Sequence, residues 1–178
     1  LPVLAAAVEA GYDLMAPIPS CVLMFKQELP LMFPEDAQLQ RVKRAIFDPF
    51  EYLMHRHQAG LFNTEFKREL GKVAYHVPCH QRVQNIGPKT RDVLKLIPNT
   101  SFEMIERCSG HDGTYGVKSG TYEYARKIAK PVVDRMKKAN AQHYSSDCPM
   151  AGAHLADGIE GKPVAEHPIS LLRMAYGL

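Results

Sequence analysis

The chain has 178 residues, 46% of them hydrophobic, and a formal net charge of +3 at pH 7, enough apolar material for one well-buried core or for one complete module plus part of another. Its lysines and arginines are scattered, which leaves no basic patch for nucleic acid or a membrane surface, and no apolar stretch reaches the roughly 18 residues of a membrane span. Four cysteines, Cys21, Cys79, Cys108 and Cys148, are too few for a disulfide-built secreted scaffold and suit a reducing compartment.

In chain order, Leu1 to Glu9 has the apolar spacing of a helix that Gly11 stops, and it lacks the marks of an initiator or a secretory signal, so the chain reads as the C-terminal piece of something longer. Asp13 to Ile18 reads as a short buried strand. Cys21 then opens a helix over Val22 to Leu29 that Pro30 and Pro34 end. Glu35 and Asp36 start a helix through about Ile46, and Asp48-Pro49 caps another that carries Phe50, Leu53 and Met54. Gly60 to Gly71 reads as a connector.

From Lys72 the rhythm is strand, cysteine, helix, three times over. Lys72 to Val77 is followed by Lys89 to Leu96, Ser101 to Glu106 by Gly116 to Ala129, and Gln142 to Ser146 by Pro149 to Asp157. Pro131 either opens a helix through about Ala139 or splits one long helix. A last helix spans Pro168 to Tyr176. Strands alternating with helices predict an α/β fold, a mostly parallel sheet flanked by helices. A weak echo between the strand, cysteine and helix junctions at Cys21 and Cys148 suggests that the strand-Cys-helix units from Lys72 onward form the second of two related modules. The expected division is 1–34 as the truncated end of a first cysteine-rich module, 35–71 as a helical connector, and 72–178 as the second module with its C-terminal helix.

Ligands of open α/β sheets gather beyond the carboxyl ends of the strands, so the cysteines are placed to converge on one edge. A helix starting just after each would turn its positive end toward the sulfur. Tyr75-His76-Val77-Pro78-Cys79-His80 combines thiolate and imidazole donors for a transition metal. In Cys108-Ser109-Gly110-His111-Asp112-Gly113-Thr114-Tyr115-Gly116 the glycines let backbone amides approach a ligand. Asp147 is a helix N-cap candidate and Pro149 stands at the first helical position. The chain contains no Cys-x-x-Cys, Walker A loop, dinucleotide fingerprint or Gly-x-Ser-x-Gly elbow. Each cysteine segment also has a plainer reading, as a strand end, a glycine-rich turn or a cap with a buried thiol.

These residues resemble the cysteine-rich, or CCG, domain of the heterodisulfide reductase B subunit and of the C subunit of anaerobic glycerol-3-phosphate dehydrogenase. That family's order of Cys, then Cys-Cys-Gly, then Cys-x-x-Cys is followed by Pro78-Cys79-His80, Cys108-Ser109-Gly110 and Cys148-Pro149-Met150-Ala151, with Ser109 and Ala151 standing where the pattern has thiols. The resemblance implies an iron-sulfur electron-transfer subunit or domain of an oxidoreductase, passing electrons between a flavoprotein partner and a quinone or thiol-disulfide acceptor. It implies Cys79, Cys108 and Cys148 as metal ligands, with Cys21 a further contributor. Gly110 and Gly113 would give backbone approach, and His80, His111 or His154 a fourth ligand or a donor beside the cluster. The expected cofactor is a 4Fe-4S cluster, with zinc as the alternative, in a cytoplasmic protein that meets the inner face of the membrane through partners. Two other readings stay open: a degenerate structural or interaction domain holding zinc or no metal, and a redox-active or nucleophilic Cys108 activated by His111.

Overall fold

The alternation from Lys72 onward becomes a wholly parallel four-stranded sheet. Its strands are β3 (Gly71–His76), β4 (Thr100–Ile105), β5 (His143–Ser146) and β6 (Ala165–Glu166), in the order β4-β3-β5-β6. Val73, Ala74, Tyr75 and His76 are all buried, as a central strand covered on both faces requires. The computed structural model describes residues 1–178, and the fold is α/β, with every paired strand parallel.

The largest helix of this sheet is α8 (Ser119–Ala139), whose Ala125, Ala129, Val132, Val133, Met136 and Ala139 form one buried stripe at helical spacing. With Leu155 and Ile159 that stripe, from Ala129 onward, packs on Ala74 of the central strand β3 and Ile105 of the edge strand β4. Pro131 lies inside this helix and does not split it. A proline there forfeits one intrahelical hydrogen bond. Lys127, whose carbonyl would have received it, is exposed, so water can take the acceptor. Asn140 closes the helix in the left-handed conformation after Lys137 and Lys138, whose charges suit the negative helix end.

The chain divides into two compact units, one made of Leu1–Phe62 with His80–Lys89 and the other of Asn63–Cys79 with Thr90–Leu178. The second unit holds the four-stranded sheet, α8, α9 (Pro149–Ala156) and α10 (Pro168–Ala175), and α7 (Lys89–Leu94) from Thr90 onward. The first holds α1 (Pro2–Glu9), β1 (Leu14–Met15), α2 (Pro19–Leu23), a π-helical turn (Met24–Glu28), α3 (Leu29–Met32), α4 (Ala37–Ala45), β2 (Ile46–Phe47) and α5 (Pro49–Gln58). The helix α6 (Cys79–Arg82) begins on the last residue of one unit and continues in the other.

Within the first unit the strand expected over Asp13 to Ile18 shortens to two residues, and its parallel partner is Ile46–Phe47, which the helical pattern had absorbed. Pro30 is not a stop: it sits buried near the start of α3, which continues directly from the π-helical turn, and the helix runs on to Met32. Asp48 starts α5 as its spacing predicts, accepting from the Phe50 amide while the Glu51 carboxylate accepts from the Asp48 amide.

Candidate functional site

Register places the thiols of the second unit. His76 at the end of β3 pairs with Ile105 at the end of β4 and with Ser146 at the end of β5. Cys79 and Cys108 each follow their paired residue by three positions and Cys148 follows by two, so all three leave the carboxyl edge of adjacent strands at nearly the same height. Neighbouring parallel strands lie about 4.8 Å apart. Cys79 and Cys108 are exposed and Cys148 is half-buried, and all three are reduced thiols.

Local structure differs among them. Cys148 is the N-cap of α9, with Pro149 at the first helical position, and its amide donates to the Ser146 hydroxyl at 3.4 Å. Cys79 is the first residue of the four-residue α6. Cys108 departs from the expectation of a helix directly after each cysteine, because α8 begins only at Ser119 and a glycine-containing loop intervenes. There the thiol sulfur instead receives the amide N–H of Gly110 at 3.4 Å. Gly110 has φ of +77°, and a Cβ on it would come within 2.3 Å of the Ala125 carbonyl oxygen. This loop therefore lies against α8 only because residue 110 is glycine. Gly113 sits in an exposed turn with open space around it.

Two buried tethers on consecutive residues of β3 hold the strand ends. The Tyr75 hydroxyl donates to the Asp147 carboxylate, which also accepts from Thr90 Oγ1 at 3.0 Å. Asp147 is thus an anchor for the segment before Cys148, not the cap of α9 that its position suggested; Cys148 takes the cap. On the opposite face of β3, His76 Nδ1 lies 3.1 Å from Ser146 Oγ and Nε2 lies 2.9 Å from the Arg107 carbonyl oxygen.

His111 and His154 are both buried and their ring centroids lie 6.1 Å apart. A Cβ on Gly116 would meet the Nδ1 atoms of both at 3.0 Å, so this glycine too fits a close approach. His154 Nε2 is buried without a hydrogen-bond partner, and burial foremost pushes the His154 pKa below its usual value. His80 and Cys21 belong to the first unit, where Cys21 is exposed as the third residue of α2.

Residues 73–156 match the cysteine-rich domain family known as CCG. This part of the chain belongs to that family. Over 143 residues, 76% of this chain, it is 30% identical to the B subunit of the fumarate reductase (CoM/CoB) of Methanothermobacter marburgensis, of which it covers 28%. Over 105 residues, 58% of the chain, it is 30% identical to the C subunit of the anaerobic glycerol-3-phosphate dehydrogenase of Escherichia coli, of which it covers 26%. An uncharacterized iron-sulfur protein of Methanocaldococcus jannaschii is 36% identical over 91 residues, covering 50% of this chain and 18% of that protein. The chain spans roughly a quarter of the length of the first two relatives.

The donor set suits soft, thiolate-binding iron or zinc in the nature of its atoms and their shared edge. It does not suit five thiolates: the positions of Ser109 and Ala151 are buried, 7% and 4% exposed, and offer a hydroxyl and a methyl. No three His, Cys, Asp or Glu side chains gather closely enough to hold a single ion. A cluster spreads its thiolates over several iron atoms, which relaxes the close mutual approach that one tetrahedral ion at about 2.3 Å per sulfur demands.

Proposed function

We propose that this chain is an iron-sulfur electron-transfer part of an oxidoreductase complex, with Cys79, Cys108 and Cys148 of the CCG domain as the thiolate ligands. The observation that carries this reading is the register: three cysteines leave three adjacent parallel strands at one edge and at matched height. Relatives named as subunits of a reductase and a dehydrogenase, and as an iron-sulfur protein, support it.

A bound cluster, 4Fe-4S in this reading, would supply one-electron transfer at that edge. The chain's own part is to hold three thiolates in place, to aim the Gly110 amide at the Cys108 sulfur, and to keep the loop against α8. The buried His111 flanks the same loop as a donor beside the site or as a fourth ligand, and His80 follows Cys79 directly in the same roles. Electrons would pass between a flavoprotein partner and a quinone or thiol-disulfide acceptor. Residues 72–178 would act as the second of two related modules and 1–34 as the end of the first, joined through 35–71, with Cys21 a further ligand. No helix is long and apolar enough to cross a membrane, and a cytoplasmic position with peripheral attachment through partners completes the proposal.

A second reading, a structural or partner-binding domain holding zinc or no metal, draws on the buried Ser109 and Ala151 and on the lack of a ready-made chelating group. Iron, zinc and acid-labile sulfide measured on anaerobically purified protein, with its visible spectrum, separate the two. Iron with sulfide supports the electron-transfer reading. Zinc alone, or no metal after anaerobic reconstitution, overturns it in favour of the structural domain.

A further inference from the structure

One buried imidazole touches the segments that carry the other two thiols. The side chain of His76 is fully buried at the end of the central strand, three residues before Cys79. Its Nε2 lies 2.9 Å from the carbonyl oxygen of Arg107, the residue before Cys108. Its Nδ1 lies 3.1 Å from Oγ of Ser146, two residues before Cys148. A carbonyl only accepts, so Nε2 carries the proton and donates to Arg107. In the neutral ring Nδ1 then accepts from the Ser146 hydroxyl, whose oxygen in turn accepts the Cys148 amide at 3.4 Å.

We propose that His76 is a positioning residue that sets the mutual spacing of Cys79, Cys108 and Cys148 by tying the ends of three adjacent strands through one ring. The claim rests on the reading that these three thiols form one site. Main-chain pairing alone does not fix this spacing. β4 ends at Ile105 and β5 at Ser146, so Cys108 and Cys148 lie beyond the last paired residues. The Arg107 carbonyl is held across to β3 by the His76 ring and Ser146 by the same ring from the other side. The ring reads both neighbours at once because β3 is the strand between them. An apolar residue of similar size would fill the space and leave the Arg107 carbonyl and the buried Ser146 hydroxyl without this partner.

Two independent measurements test this on the full chain. In the metal-free protein with Cys21→Ser and Cys79→Ser, nitroxide labels on Cys108 and Cys148 report their separation through dipolar coupling. A narrow distribution is expected, broadened by His76→Leu and by Ser146→Ala, and kept narrow by His76→Gln, whose amide donates near the Nε2 position. Distributions unchanged in both His76→Leu and Ser146→Ala overturn the proposal, as does equal broadening in His76→Gln and His76→Leu with Ser146→Ala silent. Ser146→Ala removes a single oxygen, so this arm remains decisive if His76→Leu fails to fold.

The second measurement is uptake of iron with sulfide, and of zinc, by the chain with all its cysteines. His76→Leu is expected to weaken metal retention roughly 10–100-fold, the usual effect of losing a group that orients ligands, and His76→Gln to restore it with the wild-type spectrum. Wild-type retention in His76→Leu overturns the positioning role. If the wild-type chain takes up neither metal, the proposed function falls, and the nitroxide distances still decide the role of His76.

Discussion

Each unit has a parallel strand that ends in a buried aspartate near a helix opened by proline, and one inserted residue separates their chemistry. In the first unit β2 runs directly into Asp48-Pro49, and the Asp48 carboxylate caps α5 through Phe50 and Glu51. In the second, β5 runs into Asp147-Cys148-Pro149: the thiol takes the N-cap position, and the carboxylate turns inward to the hydroxyls of Tyr75 and Thr90. A capping carboxylate thus becomes an anchoring one, and the freed cap position carries a thiol at the edge where two more thiols stand.

The comparison breaks most completely at the thiols. Cys79→Ser, Cys108→Ser and Cys148→Ser are each expected to abolish metal retention, measured as iron, zinc and sulfide per chain, whereas Cys21→Ser leaves most of it. Equal retention in all three single variants would remove the second unit's claim to a metal edge.

Next in size is the anchor. Asp147→Ala removes the carboxylate that accepts from the hydroxyls of Tyr75 and Thr90, both residues 1% exposed, at about 1.5–3 kcal/mol for each hydrogen bond to a charged group. A drop of roughly 3 kcal/mol in unfolding free energy is expected by denaturant titration, with Asp147→Asn losing less because its amide oxygen still accepts. In the first unit Asp48→Ala removes a cap, worth about 0.5–2 kcal/mol. If Asp48→Ala proved the costlier of the two, the assignment of anchor and cap would be reversed.

How much of this was legible in the sequence follows from how local each feature is. The strand and cysteine rhythm, the Asp48-Pro49 cap and the buried stripe of α8 are set by residues within a few positions of one another, and pattern alone finds them. The two-residue β2 is hidden at the end of α4, whose apolar spacing runs through Ile46, and only its pairing with Leu14–Met15 makes it a strand. The glycine-rich turn after Cys108 could be read, with its helix expected from Gly116, but the close packing of Gly110 on Ala125 exists only once α8 lies across the sheet. The roles of Asp147 and His76 depend on partners about 70 residues away along the chain, Tyr75 and Ser146 respectively. Residue type marks them as polar at a strand end, and only register says what they hold. Ser109 and Ala151, by contrast, could be read directly, since a missing thiol is a statement about sequence.

The smallest expected effect sharpens the comparison through pH. Burial is the foremost cause that raises the Asp48 pKa above its usual value, outweighing the Phe50 and Glu51 amides and the Gln81 side chain that favour the carboxylate. A carboxyl with a raised folded pKa binds its proton more tightly in the folded state. Its contribution to stability is therefore fully present below the unfolded value near 3.8 and is lost as pH rises through the folded pKa. Asparagine caps as well as aspartate and does not ionise. Asp48→Asn is thus expected to gain stability relative to the wild type between acid and neutral pH, read as the difference in denaturation midpoint across that range. A constant difference would mean that the Asp48 carboxylate sits in the fold as comfortably charged as it does in water, and that the cap owes nothing to its proton.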